Sequence, residues 1–276
     1  MRIIVTGSEG QLGRSLQQVL RGNELLRVDL PDYDITEPAI IDRLVAWKPD
    51  FIIHAAAITD VDGCELNPDA AYLANSVGTR NVVLAARKAE ADLLYVSTDY
   101  VFDGRSNEPY CEFDRPNPLN IYGRSKLTGE RFVRHLYDRY YIARTSWVYG
   151  PGGNNFVEKI LKLVAERPSI SMVTNEYGSP TYTVHLAEAI AKLIRTGLYG
   201  TYHLTNRGLC SRYEFTLHIL GLAGYRDYPV EPTQSYPRPA TIPARVEMQN
   251  FCAAAIGITL PPWDEGLEAY FKERHG

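Results

Sequence analysis

The sequence predicts an α/β fold, a doubly wound parallel sheet over residues 1–150 followed by a smaller α+β C-terminal cap. Three observations carry this. Short apolar runs alternate with helix-period stretches up to Gly150, the cadence of βαβ units whose sheet is covered on both faces. A glycine-rich turn joins the first apolar run to the first helical stretch. After Gly150 the rhythm degrades, and Pro and Gly punctuate shorter helical patterns.

Ile3–Thr6 is β-branched and breaks at Gly7, which predicts a buried strand. Gln11 to Arg21 carries Leu12, Leu16, Val19 and Leu20 as one helical stripe. Leu25–Asp29 reads as a second strand. Thr36 reads as an N-cap, with Glu37 and Pro38 in the first turn of a helix that runs to Trp47. Phe51–Ala55 predicts a third strand, Ala70–Glu90 a mostly helical stretch, and Leu93–Ser97 a fourth strand. Asp99–Leu119, rich in Pro and Asp, is a loop long enough to point to function. Asn120–Tyr137 reads as a helix and Tyr140–Thr145 as the fifth strand. Helical patterns follow at 154–166, 184–196 and 212–223. The segment around 182–205 is expected to return to the main sheet, leaving 151–181 and 206–276 as the cap.

The 276 residues are 45% apolar and 22% charged, which excludes collagen, coiled coil and wholesale disorder. Lys+Arg 29 against Asp+Glu 33 gives a net charge of −4 without a basic block, which argues against a nucleic-acid partner. No apolar run approaches the ~18 residues of a spanning helix, so no membrane partner is expected. Met1–Val5 leads straight into the glycine turn with no signal-like region, and Cys64, Cys111, Cys210 and Cys252 lack metal-site spacing. These features point to reduced thiols and a cytoplasmic compartment.

Gly7-Ser8-Glu9-Gly10-Gln11-Leu12-Gly13 stands between a predicted strand and a predicted helix, the context that gives the pattern meaning. Gly7 permits the tight turn, Gly10 lets backbone approach a pyrophosphate, and Gly13 lets the helix pack on the sheet. Asp29 closes the second strand, where a carboxylate accepts hydrogen bonds from an adenosine ribose. Together they make residues 1–150 a candidate dinucleotide-binding domain. Tyr122-Gly123-Arg124-Ser125-Lys126 sets a phenol and an ammonium on one helical face. The ammonium is expected to lower the phenol's pKa toward working range, and Lys126 to hold a nicotinamide ribose. Tyr-x-x-x-Lys alone is common on exposed helices. It gains weight because Ser97-Thr98-Asp99 ends the preceding strand, where open α/β sheets bind ligands.

With His54-Ala55-Ala56-Ala57 and Ser97-Thr98-Asp99-Tyr100-Val101-Phe102-Asp103-Gly104, these motifs resemble the extended short-chain dehydrogenase/reductases. More narrowly, the chain resembles the dTDP-4-dehydrorhamnose reductase family. That likeness extends through Asn117–Gly123, Arg144-Thr145-Ser146-Trp147-Val148-Tyr149-Gly150, Asn154-Asn155-Phe156, Gly178–Thr181, Ser211–Phe215 and Leu260–Trp263. The resemblance implies a Rossmann-type fold with a substrate-binding cap, and NADH or NADPH as cofactor. It implies reduction of the 4-keto group of a dTDP-6-deoxy-hexulose, as in dTDP-L-rhamnose biosynthesis. By the same resemblance Tyr122 is the proton donor, Lys126 anchors the ribose, and Thr98 hydrogen-bonds the substrate oxygen. Gln11 and Leu12 would meet the pyrophosphate, Asp34 and Ile35 the adenine side, and Ala57, Ile58 and Thr59 the nicotinamide half. Val61, Asp99 and Trp147 fall at sugar-nucleotide positions, although core packing explains a Trp after a strand equally well.

The chain departs from the family in two places. Thr241-Ile242-Pro243-Ala244-Arg245-Val246-Glu247 stands where the family has an Arg-Pro-x-Asn-Ser-like segment, which leaves the exact sugar and nucleotide open. Some members bridge subunits through magnesium held by a glutamate where this chain has Ser15, so no metal site is expected. A sugar-nucleotide epimerase and a non-catalytic dinucleotide-binding regulatory subunit remain as alternatives. A homodimer is compatible with the sequence.

Overall fold

The computed structural model describes residues 1–275. Strands β1 (Arg2–Thr6), β2 (Glu24–Val28), β3 (Phe51–His54), β4 (Asp92–Thr98) and β5 (Tyr140–Thr145) join a sixth strand, Gly200–His203, in one sheet. Its order is β2-β1-β3-β4-β5 and then Gly200–His203, with every neighbouring pair parallel. The winding reverses between β1 and β3, so a Rossmann-type cleft opens at the carboxyl ends of those strands. The helices are α1 (Gln11–Val19), α2 (Ile40–Ala46), α3 (Val61–Leu66), α4 (Pro68–Tyr72), α5 (Thr79–Ala89) and α6 (Ile121–Leu136). They continue with α7 (Phe156–Glu166), α8 (Thr183–Leu193), α9 (Arg212–Leu222), α10 (Phe251–Ala255) and α11 (Trp263–His275).

Alternation along β1 sends Ile3 and Val5 to one face of the sheet and Ile4 to the other. On the first face Leu12, Leu16 and Leu20 meet Leu186 and Ile190 of α8. On the second, Leu44 of α2, Val82, Val83 and Ala86 of α5 and Val133 of α6 cover Ile52, Leu93 and Tyr95. Each such side chain contributes about 1.5–3 kcal/mol by burial, so two dry faces fix where the strand ends stand. A third cluster, around Tyr149, Ile160, Phe215 and Tyr270, forms the cap's own core. The cap carries the short strand pairs Ile170–Val173 with Val230–Thr233 and Tyr177–Gly178 with Cys210–Ser211.

The observed strand ends lie within a residue of the sequence reading, but the second helix starts later than read. Thr36 does not cap α2, which begins at Ile40. Asp34 Oδ1 instead accepts from both the Thr36 N–H (2.8 Å) and its hydroxyl (2.7 Å), a local turn that competes with helix. The stretch Ala70–Glu90 is mostly helical as read, with Leu73–Gly78 widening into a π turn between α4 and α5. Ala253, Ile258 and Leu260 are buried in the first sheet cluster, since the apolar surface around Gly200–His203 needs cover. The long 99–119 segment is well packed: Phe102 stacks on Tyr110 at 4.3 Å, and Asp103 accepts from Tyr110 (2.8 Å) and Asn117 (2.9 Å).

Two histidines make the fold acid-sensitive. His54 lies between the hydroxyls of Thr6 (2.7 Å) and Thr79 (3.0 Å). Thr79 donates its own proton to Asn75 O, so His54 Nε2 carries hydrogen and Nδ1 accepts. Burial pushes His54 and His203 down to about 3, with the cations Lys126 and Arg144 respectively adding to the effect. Between about pH 6.5 and 3 the unfolded chain therefore binds more protons than the folded one, and stability falls as pH falls through that window. A thermal midpoint measured from pH 7 to pH 4 should drop steadily, and His54→Gln should flatten the slope. A midpoint constant over that range contradicts the neutral assignment.

Candidate active site

β1 delivers the glycine turn to the cleft. Gly7 sits at φ 68, where a side chain is strained, and a Cβ there would fall 2.7 Å from Ala56 N. At Gly13 a Cβ would lie 2.1 Å from Gly7 O, so α1 and the turn touch backbone to backbone. At Gly10 the nearest atom, Gly7 O, would be 3.3 Å away. Among the described residues no side chain caps α1, so the first amides of Gln11, Leu12 and Gly13 lack a side-chain acceptor. The Gln11 side chain turns aside and donates to Val148 O (3.0 Å), leaving its buried Oε1 without a partner. Ser15 donates to Thr183 Oγ1 (2.8 Å) in a buried contact between α1 and α8.

Asp29 stands beside this turn. Its Oδ2 accepts from Glu9 N (2.8 Å) and its Oδ1 from Leu30 N (2.9 Å), so the carboxylate also tethers the turn. Ile35, beyond β2, is buried with its carbonyl held by Asn81 Nδ2 (3.0 Å). Beyond β3, Ala57, Ile58 and Thr59 are partly or fully exposed, and Ile58 is clasped by Asn75 through its N–H (2.8 Å) and carbonyl (3.0 Å). Asn75 also donates to Ser125 Oγ (3.0 Å), so the π turn fastens this strip to α6. Sequence reasoning missed Asn75, because a polar residue inside a helical pattern shows no sign of its distant partners.

α6 brings Tyr122 and Lys126 inside. Asn120 caps it by accepting from Gly123 N (2.9 Å). Tyr122 packs with Cys64, Ala71 and Tyr100, and with Val61 and Ile242 at the edge of that cluster. Burial pushes the Tyr122 phenol well above its ordinary range, while the nearby Thr98 hydroxyl pulls the other way. This corrects the expectation that Lys126 lowers it. The Lys126 ammonium donates to Val96 O (2.8 Å) and lies 4.2 Å from the Tyr95 ring centre, engaged with β4 and not with the phenol. Burial brings Lys126 down to about 7, with Glu130 opposing that fall.

Thr98 and Asp99 close β4 at the same edge. Thr98 Oγ1 donates to Asp99 Oδ1 (2.9 Å) and Ser146 Oγ to Asp99 Oδ2 (2.7 Å). Burial raises Asp99, against Ser146, Thr98 and Arg212. Trp147 follows β5 at φ 44, its indole 2.4 Å from where a Cβ on Gly178 would be. It packs at the margin of the cap core, and the Arg212 guanidinium lies 3.4 Å over its ring. Trp147 is thus packed on the cap core while remaining partly exposed. The edge thus gathers the glycine turn, Asp29, Ala57–Thr59, Val61, Thr98, Asp99, Tyr122, Lys126 and Trp147, with Asp34 and Ile35 on the continuation of β2.

Among the described residues no three His, Cys, Asp or Glu side chains group as a metal site, and no helix is long and apolar enough to cross a membrane. A model of the RmlD substrate binding domain matches residues 1–275. The spore coat polysaccharide biosynthesis protein SpsK of Bacillus subtilis is 37% identical over 277 residues, covering 99% of this chain and 98% of that one. The dTDP-4-dehydrorhamnose reductase of Escherichia coli is 34% identical over 294 residues, covering 99% and 98%. Among solved structures, the dTDP-4-dehydrorhamnose reductase of Bacillus anthracis in complex with NADP superposes with TM-score 0.95 at 43% identity, covering 99% of each chain. A UDP-glucose 4-epimerase of Thermus thermophilus, at 21% identity and TM-score 0.87, shares the fold. On the family match and these full-length relatives, the chain belongs to the dTDP-4-dehydrorhamnose reductase family.

Proposed function

We propose that the protein is an NAD(P)H-dependent reductase of the 4-keto group of a dTDP-6-deoxy-hexulose. The observation that carries this is the buried Tyr122 phenol, with Thr98 near it at the carboxyl edge of β4 where the glycine turn opens. The bare Gly10 turn, the uncapped start of α1 and the Asp29 carboxylate fit a dinucleotide. When bound, that cofactor supplies the hydride. Tyr122 holds its proton firmly and gives it to the carbonyl oxygen as charge develops there. Thr98, tied to Asp99, orients that oxygen. Lys126, whose ammonium donates to Val96 O, would hold the cofactor's ribose. Val61, Asp99 and Trp147 border the hexulose.

The test is oxidation of NADPH or NADH that depends on a dTDP-4-keto-6-deoxy sugar, with a net change in reduced cofactor. An epimerase turns over without net oxidation, and a regulatory subunit does not turn over; either result defeats the proposal.

Asp29 also sets an expectation for cofactor choice. Its carboxylate suits a free 2′-hydroxyl and repels a 2′-phosphate, and Leu30-Pro31-Asp32 supplies no arginine to receive one. NADH should work at least as well as NADPH, compared by kcat/KM. An NADPH preference above about tenfold, or ~1.4 kcal/mol, would mean another cation reaches the phosphate.

A further inference from the structure

Arg212 begins α9, and its setting is built with care. Ser211 caps the helix by accepting from Glu214 N (3.0 Å), while Glu214 Oε2 accepts from Ser211 N (2.7 Å). Ser211 also pairs with Tyr177 in the short strand pair that places Gly178 under Trp147. The guanidinium then lies 3.4 Å over the Trp147 ring and 4.7 Å from the centre of Phe156. Two aromatic rings hold it, and only 17% of the side chain is exposed.

A guanidinium has five N–H donors, all in its own plane. The two ring contacts involve the guanidinium carbon and use none of these donors. Glu176 Oε2 is 3.9 Å from Nε, beyond hydrogen-bond reach, and among the described residues no other acceptor engages the group. Asp99 attracts it, yet both Asp99 oxygens already accept, from Thr98 and from Ser146. Arg238 makes a useful contrast. It too acts on Tyr100, but Asp62 takes its fork at 3.1 and 3.0 Å. Ile242, from the stretch that departs from the family's Arg-Pro-x-Asn-Ser-like pattern, adds only hydrocarbon beside Tyr100 and Tyr122. Arg212 is therefore a pre-positioned donor set beside Asp99 and Trp147 with its hydrogen bonds still to be made. Donors fixed in place and open to the solvent side can be taken over by a ligand's acceptor oxygens.

We propose that Arg212 is a specificity-determining binding residue, donating hydrogen bonds from its ring-clamped guanidinium to acceptor oxygens of the sugar nucleotide. This rests on the reductase reading above. The oxygens belong to the diphosphate or to the hexose, and one set of measurements separates these sources. Arg212→Gln and Arg212→Lys are compared with the parent in calorimetric titrations with dTDP and with dTDP-glucose, and in steady-state kinetics. Arg212→Gln should raise KM for the sugar nucleotide about tenfold or more, with kcat and cofactor KM within about threefold. Arg212→Lys should recover only part, because a point charge does not reproduce a planar fork. Weakened binding of dTDP itself assigns the contact to the diphosphate; weakening confined to dTDP-glucose assigns it to the hexose.

Unchanged affinity for dTDP-glucose in both variants overturns the proposal, and so does a cofactor KM that rises in parallel. Should Arg212→Gln not fold, Arg212→Lys, which keeps the stem and the charge, carries the test alone, and parent-like affinity in it is the overturning result. A parent enzyme that binds neither ligand refutes the sugar-nucleotide reading itself, a different failure from parent binding that the variants retain.

Discussion

Replacing Tyr122 with Phe should lower turnover about 10²–10⁴-fold, the usual contribution of a positioned proton donor, while cofactor affinity stays near that of the parent. The ring is buried among Cys64, Ala71 and Tyr100, so the variant keeps its packing and loses one oxygen. The same burial holds the phenol's proton against loss at neutral pH, which suits an acid that gives up its proton only when an oxyanion forms. Cofactor titration and steady-state turnover on one preparation decide it. Turnover within threefold of the parent would remove Tyr122 from the chemistry.

The second large effect is on stability. Glu130 is fully buried and accepts from Ser97 (2.7 Å) and from Arg144 through Nε (2.8 Å) and Nη2 (2.9 Å), with Arg134 3.1 Å away. Arg144 is 1% exposed, and among the described residues its charge is matched by Glu130 alone. Glu130→Ala should therefore destabilise the fold by about 3–5 kcal/mol, because it strands a buried guanidinium. For a chain of this size that is roughly 10 °C of thermal midpoint, readable by calorimetry. A shift under about 3 °C would mean that water or another carboxylate takes over the pair. Glu130 also holds up the pKa of Lys126, so any folded variant should deprotonate Lys126 at lower pH than the parent does.

The central sheet was legible because its first five strands declare themselves locally, as short apolar runs ended by Gly or by polar residues. The glycine turn and Tyr122-x-x-x-Lys126 were legible for the same reason, since their meaning lies in spacing along one element. What escaped depends on partners far away in the chain. Asp34 seizes Thr36 and delays α2, and Asn75 reaches Ile58 and Ser125 only through an irregular turn. Lys126 reads as a neighbour of Tyr122 on a helical wheel, yet its stem runs toward Val96. Arg212 stood in a quoted motif with no role, because its two ring partners come from the ends of β5 and α7.

The π turn at Leu73–Gly78 acts as a phase setter for everything that precedes it. An α-helix turns about 100° per residue, so deleting one residue there to restore regular helix would rotate α4 by nearly a third of a turn relative to α5. Asn75 would swing off Ile58, and the strip at Ala57–Thr59 would lose its clasp while the core beneath α5 stayed intact. Length in this stretch is thus a setting of angle. A chimera that borrows 68–89 from a relative with a straight helix would fold and still present its cleft out of register.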